Sequence, residues 1–346
     1  MNDHRSPAGD RSPGADERSS SPGDRSTSQD DRAAAAQRDV PGADAERPGE
    51  IPAGGWWRIV RRAWKEASTD QVPLLAAGVA FFGFLSLFPA VAAIVLGYGL
   101  VAEPSQMRSQ VEELTAAVPA SARDILLQQV ESLAAAPQQG LGIGLVIALA
   151  TALWSASGGV GYLISAVNLA YDEEETRGFV KRKLLALGLT LGAIVFVLLA
   201  AGLLAVGALI DDSSTVVRVL LQVARLAVAI ILITIALAVV YRVAPDRDAP
   251  RMRWVSVGAA VATVIWLLAS IGFSVYVSTF GNYAKTYGSL AAVAILLLWL
   301  WLTAYAILLG AEINAESEQQ TVRDTTKGPP QPLGERNAVK ADSPPG

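Results

Sequence analysis

The stretch at residues 287–316, "YGSLAAVAILLLWLWLTAYAILLGAEINAE", decides how this chain must fold. Its residues 290–309 carry no charge, and about 20 apolar residues are what a helix needs to cross the hydrocarbon core of a bilayer. Glu312, Asn314 and Glu316 then follow in quick succession. A carboxylate at the C-terminal end of a helix opposes the helix dipole, and Glu312 and Glu316 repel each other at a spacing of four residues. The stretch therefore predicts a membrane-spanning helix whose acidic end needs a basic partner.

Two interpretations of this acidic end stay open. In the first, the carboxylates form structural ion pairs with basic residues of neighbouring loops. The candidates for that pairing are Arg177, Lys183, Arg251 and Arg253. In the second, Glu312 and Asn314 take part in gating or in a proton-coupled step, because ionisable groups inside membrane helices are commonly functional. The ion-pair interpretation is favoured, since Glu312 lies close to the end of the apolar run.

The composition extends this interpretation to the whole chain. Of its 346 residues 52% are hydrophobic, and the mean hydropathy is +0.37. The apolar residues form six blocks, which predict an all-α membrane protein with six transmembrane helices, at residues 74–101, 141–167, 184–210, 216–241, 254–277 and 288–311. The chain has no cysteine, and its single histidine, His4, lies in a polar segment. We therefore expect no metal site, no cofactor, no catalytic residues and no enzymatic activity.

The basic residues of the loops predict the orientation of the six helices. Four lie just before the first block, four in residues 171–183 and four in residues 242–253, whereas the alternate loops hold two, none and one. Since Lys and Arg concentrate on the cytoplasmic side of membrane proteins, both termini are predicted to be cytoplasmic. The net charge of −4 indicates no strongly basic surface, so no nucleic acid partner is expected.

The segments outside the blocks have compositions of their own. Residues 1–54 and 317–346 are rich in Pro, Gly and charged side chains, which predicts disordered cytoplasmic tails. Residues 55–68 carry aromatic and basic side chains at helical spacing, which indicates an interfacial helix at the start of a membrane domain that covers residues 55–316. Residues 102–140 have the apolar spacing of two short amphipathic helices, which we expect at the outer mouth of the bundle.

Two of the blocks contain residues that weaken a helix. The second block includes "SASGGVG" at residues 155–161, with Ser155, Ser157, Gly158, Gly159 and Gly161. Either the helix breaks there and lines a water-filled cavity, or the small residues let a neighbouring helix approach closely, and close packing is favoured. Pro89 in the first block removes a backbone donor, which predicts a kink in the turn before it.

Further polar side chains are candidate contacts for a solute. Arg225 lies deep in the fourth block, where it either extends toward the outer interface or faces the interior and contacts an anionic group. Tyr283, Lys285 and Tyr287 lie between the fifth and sixth blocks. These three residues either form an aromatic belt with a tight turn or surround a headgroup or anion.

Three stretches, taken together and in order, carry a resemblance to a known family. They are "AAGVAFFGFLSLFPAV" at residues 76–91, "LWSASGGVGYLISAVNLAYDEEETRGFVKRKLLAL" at residues 153–187, and the run at residues 249–316 that contains "APRMRWVSVG", "FGNYAKTYGSLAAV" and "LLGAEINAE". With these stretches the chain resembles the YihY / virulence factor BrkB family of bacterial inner-membrane proteins over about residues 56–316. The resemblance implies six spans and a link to envelope integrity, with transport, lipid transport included, as the suspected activity.

The family has also carried the label of a ribonuclease, and this sequence argues against that activity. RNA hydrolysis needs a metal cluster or an acid–base pair that a polyanion can reach. We instead expect a transporter or flippase-like conduit for a small or lipid-like solute, and a non-transporting scaffold for envelope enzymes is the alternative. The solute or gating candidates are Arg225, Lys285, Tyr283, Tyr287, Ser155, Ser157, Glu312 and Asn314. The lipid bilayer is the expected partner, and a homo-oligomer is compatible with the sequence.

Overall fold

The computed structural model describes residues 40–101, 138–208, 215–279 and 289–345. In these ranges the chain forms eight α-helices and has no β-strand longer than an isolated bridge. The helices are α1 (Ala53–Thr69), α2 (Val72–Val101), α3 (Gln138–Ala170), α4 (Phe179–Ala208), α5 (Thr215–Val243), α6 (Met252–Thr279), α7 (Ser289–Gln319) and α8 (Val339–Asp342). Residues 280–288 and most of the predicted outer segment 102–140 lie outside the described ranges.

Helices α2 to α7 each contain most of one predicted apolar block, which confirms the all-α fold of a polytopic membrane protein. Among the described residues, four stretches are each long and apolar enough to cross a membrane: Phe179–Ala200, Val216–Val243, Met252–Ser278 and Leu290–Gln319. Helix α1 and the first part of α2 form a fifth apolar stretch that is bent by 65°. The bend falls between the two helices, beside Gln71 with its positive φ of 52°, and α2 stays helical through Pro89.

The six long helices α2 to α7 form a closed ring. Each packs against the next in chain order, and α7 returns to pack against α2. Helix α7 also contacts α1, α3 and α8, so it has more helical neighbours than any other element described. The ring therefore depends on its last helix for closure.

Backbone contact between α6 and α7 brings the ends of these helices together. A Cβ atom built on Gly258 would overlap the carbonyl oxygen of Gly310, and one built on Gly310 would lie 2.5 Å from the hydroxyl of Tyr241. Glycine is required at both positions because only a missing side chain lets two helices approach so closely. The Tyr241 hydroxyl donates a hydrogen bond of 2.6 Å to the carbonyl of Ile307, which adds α5 to this contact.

The glycine-rich stretch of α3 is helical throughout, so the break weighed as one alternative is absent. The packing alternative applies at Gly159, where an added Cβ would lie 3.2 Å from the backbone nitrogen of Gly83 on α2. Gly158 and Gly161 have open space beside them. Ring stacking of Phe82 on Tyr162, with centroids 4.3 Å apart, extends the α2–α3 contact by one turn.

Helices α4 and α5 are the most outward-facing part of the ring. Their large apolar side chains are exposed along most of both helices, for example Leu191, Val195, Leu198, Val219, Leu226 and Ile235. A soluble protein rarely exposes so continuous an apolar surface, whereas hydrocarbon is the natural solvent for it. This surface is consistent with contact between α4–α5 and lipid.

The C-terminal segment differs most from the prediction. Residues 317–345 were expected to be a disordered tail, but they fold over the end of α7 with many buried side chains. The Thr321 hydroxyl lies 3.0 Å and 2.7 Å from the carbonyl oxygens of Ala43 and Ala45. Residues 40–54, also expected to be disordered, are thus ordered by the other terminus, while residues 1–39 lie outside the described ranges.

Candidate functional site

Polar side chains are concentrated at the end of the ring where α7 terminates. We call this region the arginine-rich end; it comprises residues 171–177, 244–251 and 312–320, with α8 packed against it. The polar residues of α7 in this region are fully buried, each with at most 1% exposure: Glu312, Asn314, Glu316, Ser317 and Glu318. Burial of several carboxylates in one place demands partners, because an unpaired buried charge costs several kcal/mol.

Glu316 is held between two cations. Its carboxylate accepts a hydrogen bond of 2.5 Å from Nε of Arg62 on α1 and one of 2.7 Å from Nζ of Lys340 on α8. Arg62 also donates through Nη2 to the side-chain oxygen of Gln320, at 2.8 Å. Three elements distant in sequence therefore meet at this one carboxylate.

Glu318 has a similar arrangement with Arg247. The Nη2 group of Arg247 lies 2.8 Å and 2.7 Å from the two carboxylate oxygens, and the hydroxyl of Thr325 donates at 2.7 Å. The guanidinium of Arg247 also lies 4.6 Å from the ring centroid of Tyr171, which is a cation–π geometry. Burial would lower the pKa of Arg247, but the charge of Glu318 outweighs it and raises that pKa.

Glu312 is the exception at the arginine-rich end. It is 0% exposed, and neither of its carboxyl oxygens has a hydrogen-bond partner. The basic partner expected for the acidic end exists, but it binds Glu316 and not Glu312. The partners proposed from the sequence were Arg177, Lys183, Arg251 and Arg253. Among the contacts described, none of these four residues pairs with Glu312 or Glu316, so that prediction is wrong.

The side chain of Asn314 joins α7 to α6. Its side-chain oxygen accepts a hydrogen bond of 2.7 Å from the backbone nitrogen of Gly258, and its side-chain nitrogen donates one of 3.1 Å to the carbonyl of Val255. Both bonds cross the close α6–α7 contact. A fully buried amide with both ends satisfied fixes the register of two helices.

A second polar network joins the α3–α4 and α5–α6 connections. Arg177 donates to Glu175 at 2.7 Å, and Asn168 donates to the same carboxylate at 3.0 Å. The Asp246 carboxylate accepts hydrogen bonds from the backbone and hydroxyl of Thr176, at 2.7 Å and 2.6 Å. Burial would raise the pKa of Asp246, but these bonds and the charge of Arg177 lower it below its usual value. The network holds the two connections together.

The other candidate site is a cavity between α4 and α5. It has a volume of about 380 Å³ and is lined almost entirely by apolar side chains, together with Arg225 and Gln222 of α5. The apolar part of the lining comes from Phe196, Ala200, Leu203, Val223, Leu226, Ala229, Leu232 and Ile233. Arg225 is half-buried there, with its charge next to hydrocarbon. Such a combination suits an amphipathic ligand with an anionic group.

The structure does not bring the sequence-predicted candidates together. Glu312 and Asn314 belong to the arginine-rich end, and Arg225 is the one candidate that lines the α4–α5 cavity. Ser157 is buried and donates its hydroxyl to the carbonyl of Trp154 at 2.7 Å, while Ser155 is half-buried on the same helix. The remaining candidates, Tyr283, Lys285 and Tyr287, lie outside the described residues.

Several residues that build the arginine-rich end were not singled out from the sequence. They are Arg62, Asn168, Tyr171, Glu318 and Lys340. A signal for Arg62 existed in the helical spacing of residues 55–68, where it stands three residues after Ile59 and next to Ala63, two apolar residues that are buried. No comparable signal marks Lys340, whose segment has the composition of a disordered tail.

Metal-ligating groups do not cluster in the part of the chain that the structure describes. No set of three or more His, Cys, Asp or Glu side chains has an arrangement that could hold a metal ion there. Glu316 and Glu318 are instead paired with cations, and Asp246 accepts hydrogen bonds from Thr176. These contacts join different elements of the fold.

These features define the class of protein: a multi-pass helical membrane protein with a buried polar network at one end of its helix ring. Within that class, the chain belongs to the virulence factor BrkB family, whose model matches residues 63–334. The match includes all six apolar blocks and most of the C-terminal segment that folds over α7. No solved structure matches the chain significantly.

Relatives with recorded names agree with the family. The chain is 35% identical over 250 residues to YfkH of Bacillus subtilis, a protein named as ribonuclease-like, and the match covers 69% of this chain and 88% of YfkH. It is 41% identical over 80 residues to a UPF0761 membrane protein of Alteromonas mediterranea, which is 23% of this chain and 27% of that protein. A UPF0761 membrane protein of Vibrio parahaemolyticus is 43% identical over 65 residues, 19% of this chain and 21% of that protein. The latter two similarities are local.

Proposed function

We propose that this protein is a conduit of the bacterial inner membrane that moves an amphipathic, anionic solute, such as a lipid, across or between the leaflets. Six spans with both termini in the cytoplasm are part of the proposal. The distribution of basic residues among the loops and the family membership support this topology. Under it, the arginine-rich end faces the cytoplasm.

The observation that carries the proposal is Arg225 in the α4–α5 cavity. A guanidinium cannot lose its charge in a protein, so placing it against apolar side chains is costly unless an anion or water balances it. Its planar donors match the geometry of a phosphate or carboxylate. The cavity volume of about 380 Å³ falls in the range of small-ligand sites and can hold a headgroup with the adjoining part of a chain.

The position of the cavity supports a lateral route of entry. It lies between the two helices whose side chains are the most exposed, so a lipid reaches it from the bilayer without crossing the ring. At the arginine-rich end, by contrast, Glu316 and Glu318 are already paired with cations of the chain. We therefore assign solute contact to the α4–α5 side and the anchoring of helices to the arginine-rich end.

Reconstitution into liposomes tests this function. The movement of a fluorescent anionic lipid between leaflets is compared for the unchanged protein, Arg225→Ala and Arg218→Ala. Loss of one charge-assisted contact should slow movement about tenfold or more for Arg225→Ala. Arg218→Ala removes the same charge from the same helix outside the cavity lining, and it should stay close to the unchanged rate. Equal rates for all three proteins, or no movement above protein-free liposomes, would reject the proposal.

A non-transporting scaffold is the second candidate, and the ordered termini favour it. Residues 40–51 and 317–345 form a hydrogen-bonded layer over the arginine-rich end, which could present a surface to envelope enzymes. A scaffold requires that layer but does not require Arg225. If Arg225→Ala preserves envelope function in cells while disruption of the layer abolishes it, the scaffold is the better account.

We do not extend the ribonuclease-like name of YfkH to this chain. The only histidine in the sequence is His4, which lies outside the membrane domain predicted at residues 55–316. Glu316 and Glu318 are held in ion pairs, and the buried Glu312 has no hydrogen-bonded partner that would serve as the second group of an acid–base pair.

A further inference from the structure

Lys340 occupies a pocket that the rest of the chain builds. Its side chain is only 6% exposed, and its ammonium nitrogen lies 2.7 Å from the carboxylate of Glu316 and 3.0 Å from that of Asp172. Lysine is almost never buried unless it is paired. Burial alone would lower the pKa of Lys340, but the charge of Glu316 and its hydrogen bond raise it above the usual value. The ammonium therefore stays charged in the pocket.

The carboxylates of this pocket come from elements other than α8. Glu316 belongs to α7, and Asp172 belongs to the connection between α3 and α4. Glu312, one helical turn before Glu316, is within electrostatic reach of Lys340 and has no hydrogen-bond partner of its own. Glu312 is thus a further buried carboxyl close to Lys340 that Lys340 does not hydrogen-bond.

We propose that Glu316, Asp172 and Glu312 form a binding site for a primary ammonium group, and that α8 occupies this site with Lys340 as a displaceable plug. The site goes beyond solute contact at Arg225 and does not depend on it. A primary ammonium is compact and has three donors. Lys340 pairs with Glu316 and Asp172, and a free ammonium, which no side chain restricts, has its third donor available for Glu312. A quaternary ammonium has the same charge but no donor, and it does not fit this arrangement.

The attachment of α8 favours displacement as a unit. Arg336, just before α8, donates to the carbonyl of Ala341 at 2.6 Å and, across the preceding connection, to the carbonyls of Val322 and Arg323 at 2.6 Å and 3.2 Å. The bond to Ala341 keeps α8 folded, while the other two must break when α8 leaves the pocket. The preceding residues 327–335 are exposed, and both glycines in them have a positive φ. They form the exposed connection about which α8 would move, with the two glycines as the positions that absorb the change in backbone angles.

Few other bonds hold α8 to the ring. The backbone nitrogen of Val339 donates to Glu173 at 2.8 Å, and the carbonyl of Asn337 accepts from the backbone of Asp248 at 3.2 Å. Neither is an ion pair, and the bonds of Arg336 to Val322 and Arg323 also go to carbonyl oxygens. Lys340 is therefore the charged anchor of the plug, and its loss should loosen α8.

The first test measures release of α8 by cysteine labelling. The chain contains no cysteine, so a single Ala341→Cys substitution at a position of 0% exposure reports on α8 without background. We expect maleimide labelling at least about tenfold faster when Lys340→Ala is added, since one buried ion pair is worth more than 1.4 kcal/mol. Lys327→Ala, at an exposed position of the same segment, serves as the control and should not change the rate. An unchanged rate with Lys340→Ala would overturn the plug.

The second test asks whether the emptied pocket takes an ammonium. Thermal unfolding of Lys340→Ala in detergent is followed with ethylammonium and with tetramethylammonium at equal concentration. We expect ethylammonium to raise the unfolding temperature, because a ligand that binds only the folded state stabilises it, while tetramethylammonium does not. Adding Glu316→Gln should abolish the effect. No response to ethylammonium, or an equal response to both cations, would reject the site.

The source of the ammonium is distinguished in the same variant. Nanodiscs of phosphatidylethanolamine and of phosphatidylcholine present primary and quaternary headgroups on otherwise similar lipids. Stabilisation in phosphatidylethanolamine nanodiscs, without stabilisation by ethanolamine in detergent, assigns the site to a lipid headgroup. Stabilisation by ethanolamine in detergent, without stabilisation in phosphatidylethanolamine nanodiscs, assigns it to a free amine. If Lys340→Ala does not fold, Lys340→Met keeps the apolar stem of the side chain and carries the same expectations.

Discussion

The arginine-rich end and the α4–α5 side use buried charge in opposite ways. At the arginine-rich end, Arg247 is fully buried against Glu318, and Arg62 and Lys340 enclose Glu316. On the α4–α5 side, Arg225 lies half-buried in an apolar cavity whose lining contains no acid. The first arrangement pairs these cations with acids of the same chain and so stabilises the contact between elements. The second leaves a charge for which the described lining residues supply no acid.

That contrast separates structural charge from functional charge. A charge with a partner in its own chain contributes to stability, and its removal leaves the partner buried and unpaired. A charge in an apolar cavity without an acid contributes little to stability and is available for a ligand. Substitutions at the arginine-rich end should therefore lower stability, and substitutions on the α4–α5 side should lower transport.

The largest effect is expected for Glu316→Gln. The substitution leaves two cations, Arg62 and Lys340, without their shared carboxylate, and it should lower the free energy of unfolding by about 3–5 kcal/mol. Unfolding in a denaturing detergent titration measures this change. The control Glu174→Gln removes an acid at an exposed position nearby and should cost less than about 0.5 kcal/mol. Similar losses for the two variants would erase the distinction between the regions.

A smaller loss is expected for Gly258→Ala. The added methyl group would overlap the backbone of Gly310 and the side chain of Asn314, so α6 and α7 must separate, at a cost of about 1–3 kcal/mol. The matched control is Gly192→Ala on α4, where nothing lies within 4 Å of the new methyl group. The same titration should detect no loss for the control. Equal tolerance of both alanines would show that close packing is not what holds the arginine-rich end together.

The smallest effect is expected for Glu312→Gln. No ion pair or hydrogen bond of this carboxyl is lost, and a possible repulsion of Glu316 is removed, so the free energy of unfolding should change by less than about 1 kcal/mol. The comparison with Glu316→Gln is direct, because the two acids lie one turn apart on one helix. A loss as large as that of Glu316→Gln would show that Glu312 has a partner essential to the fold.

The fold could be predicted from the sequence because its signal is local. Each long apolar block, such as residues 290–309, requires a helix regardless of what the rest of the chain does. The family resemblance added the order of the blocks. The helicity of residues 155–161 was less certain from the sequence, since a glycine-rich stretch is compatible with either a break or close packing, and the neighbouring Gly83 that decides it is more than 70 residues away.

The partners of the acidic end could not be predicted, for a physical reason. Pairing of Glu316 with Arg62 joins residues 254 positions apart, and nothing in the local sequence of either one selects the other. The order of the C-terminal segment was missed because its burial depends on hydrogen bonds to carbonyls, as for Arg336 and Thr321, and not on apolar side chains. Amino-acid composition reveals the burial of apolar side chains, but it does not reveal burial that depends on hydrogen bonds to carbonyls.

Closure of the ring by α7 has a consequence for biosynthesis. A protein is made from its N-terminus, so α2 to α6 are translated before the helix that joins α6 to α2. Until α7 is made, the contacts of Gly258 and Arg62 with α7 cannot form, and the ring of helices stays open between α6 and α2. A chain that ends before the sixth apolar block lacks Glu318, and Arg247 is then left without its ion-pair partner on α7.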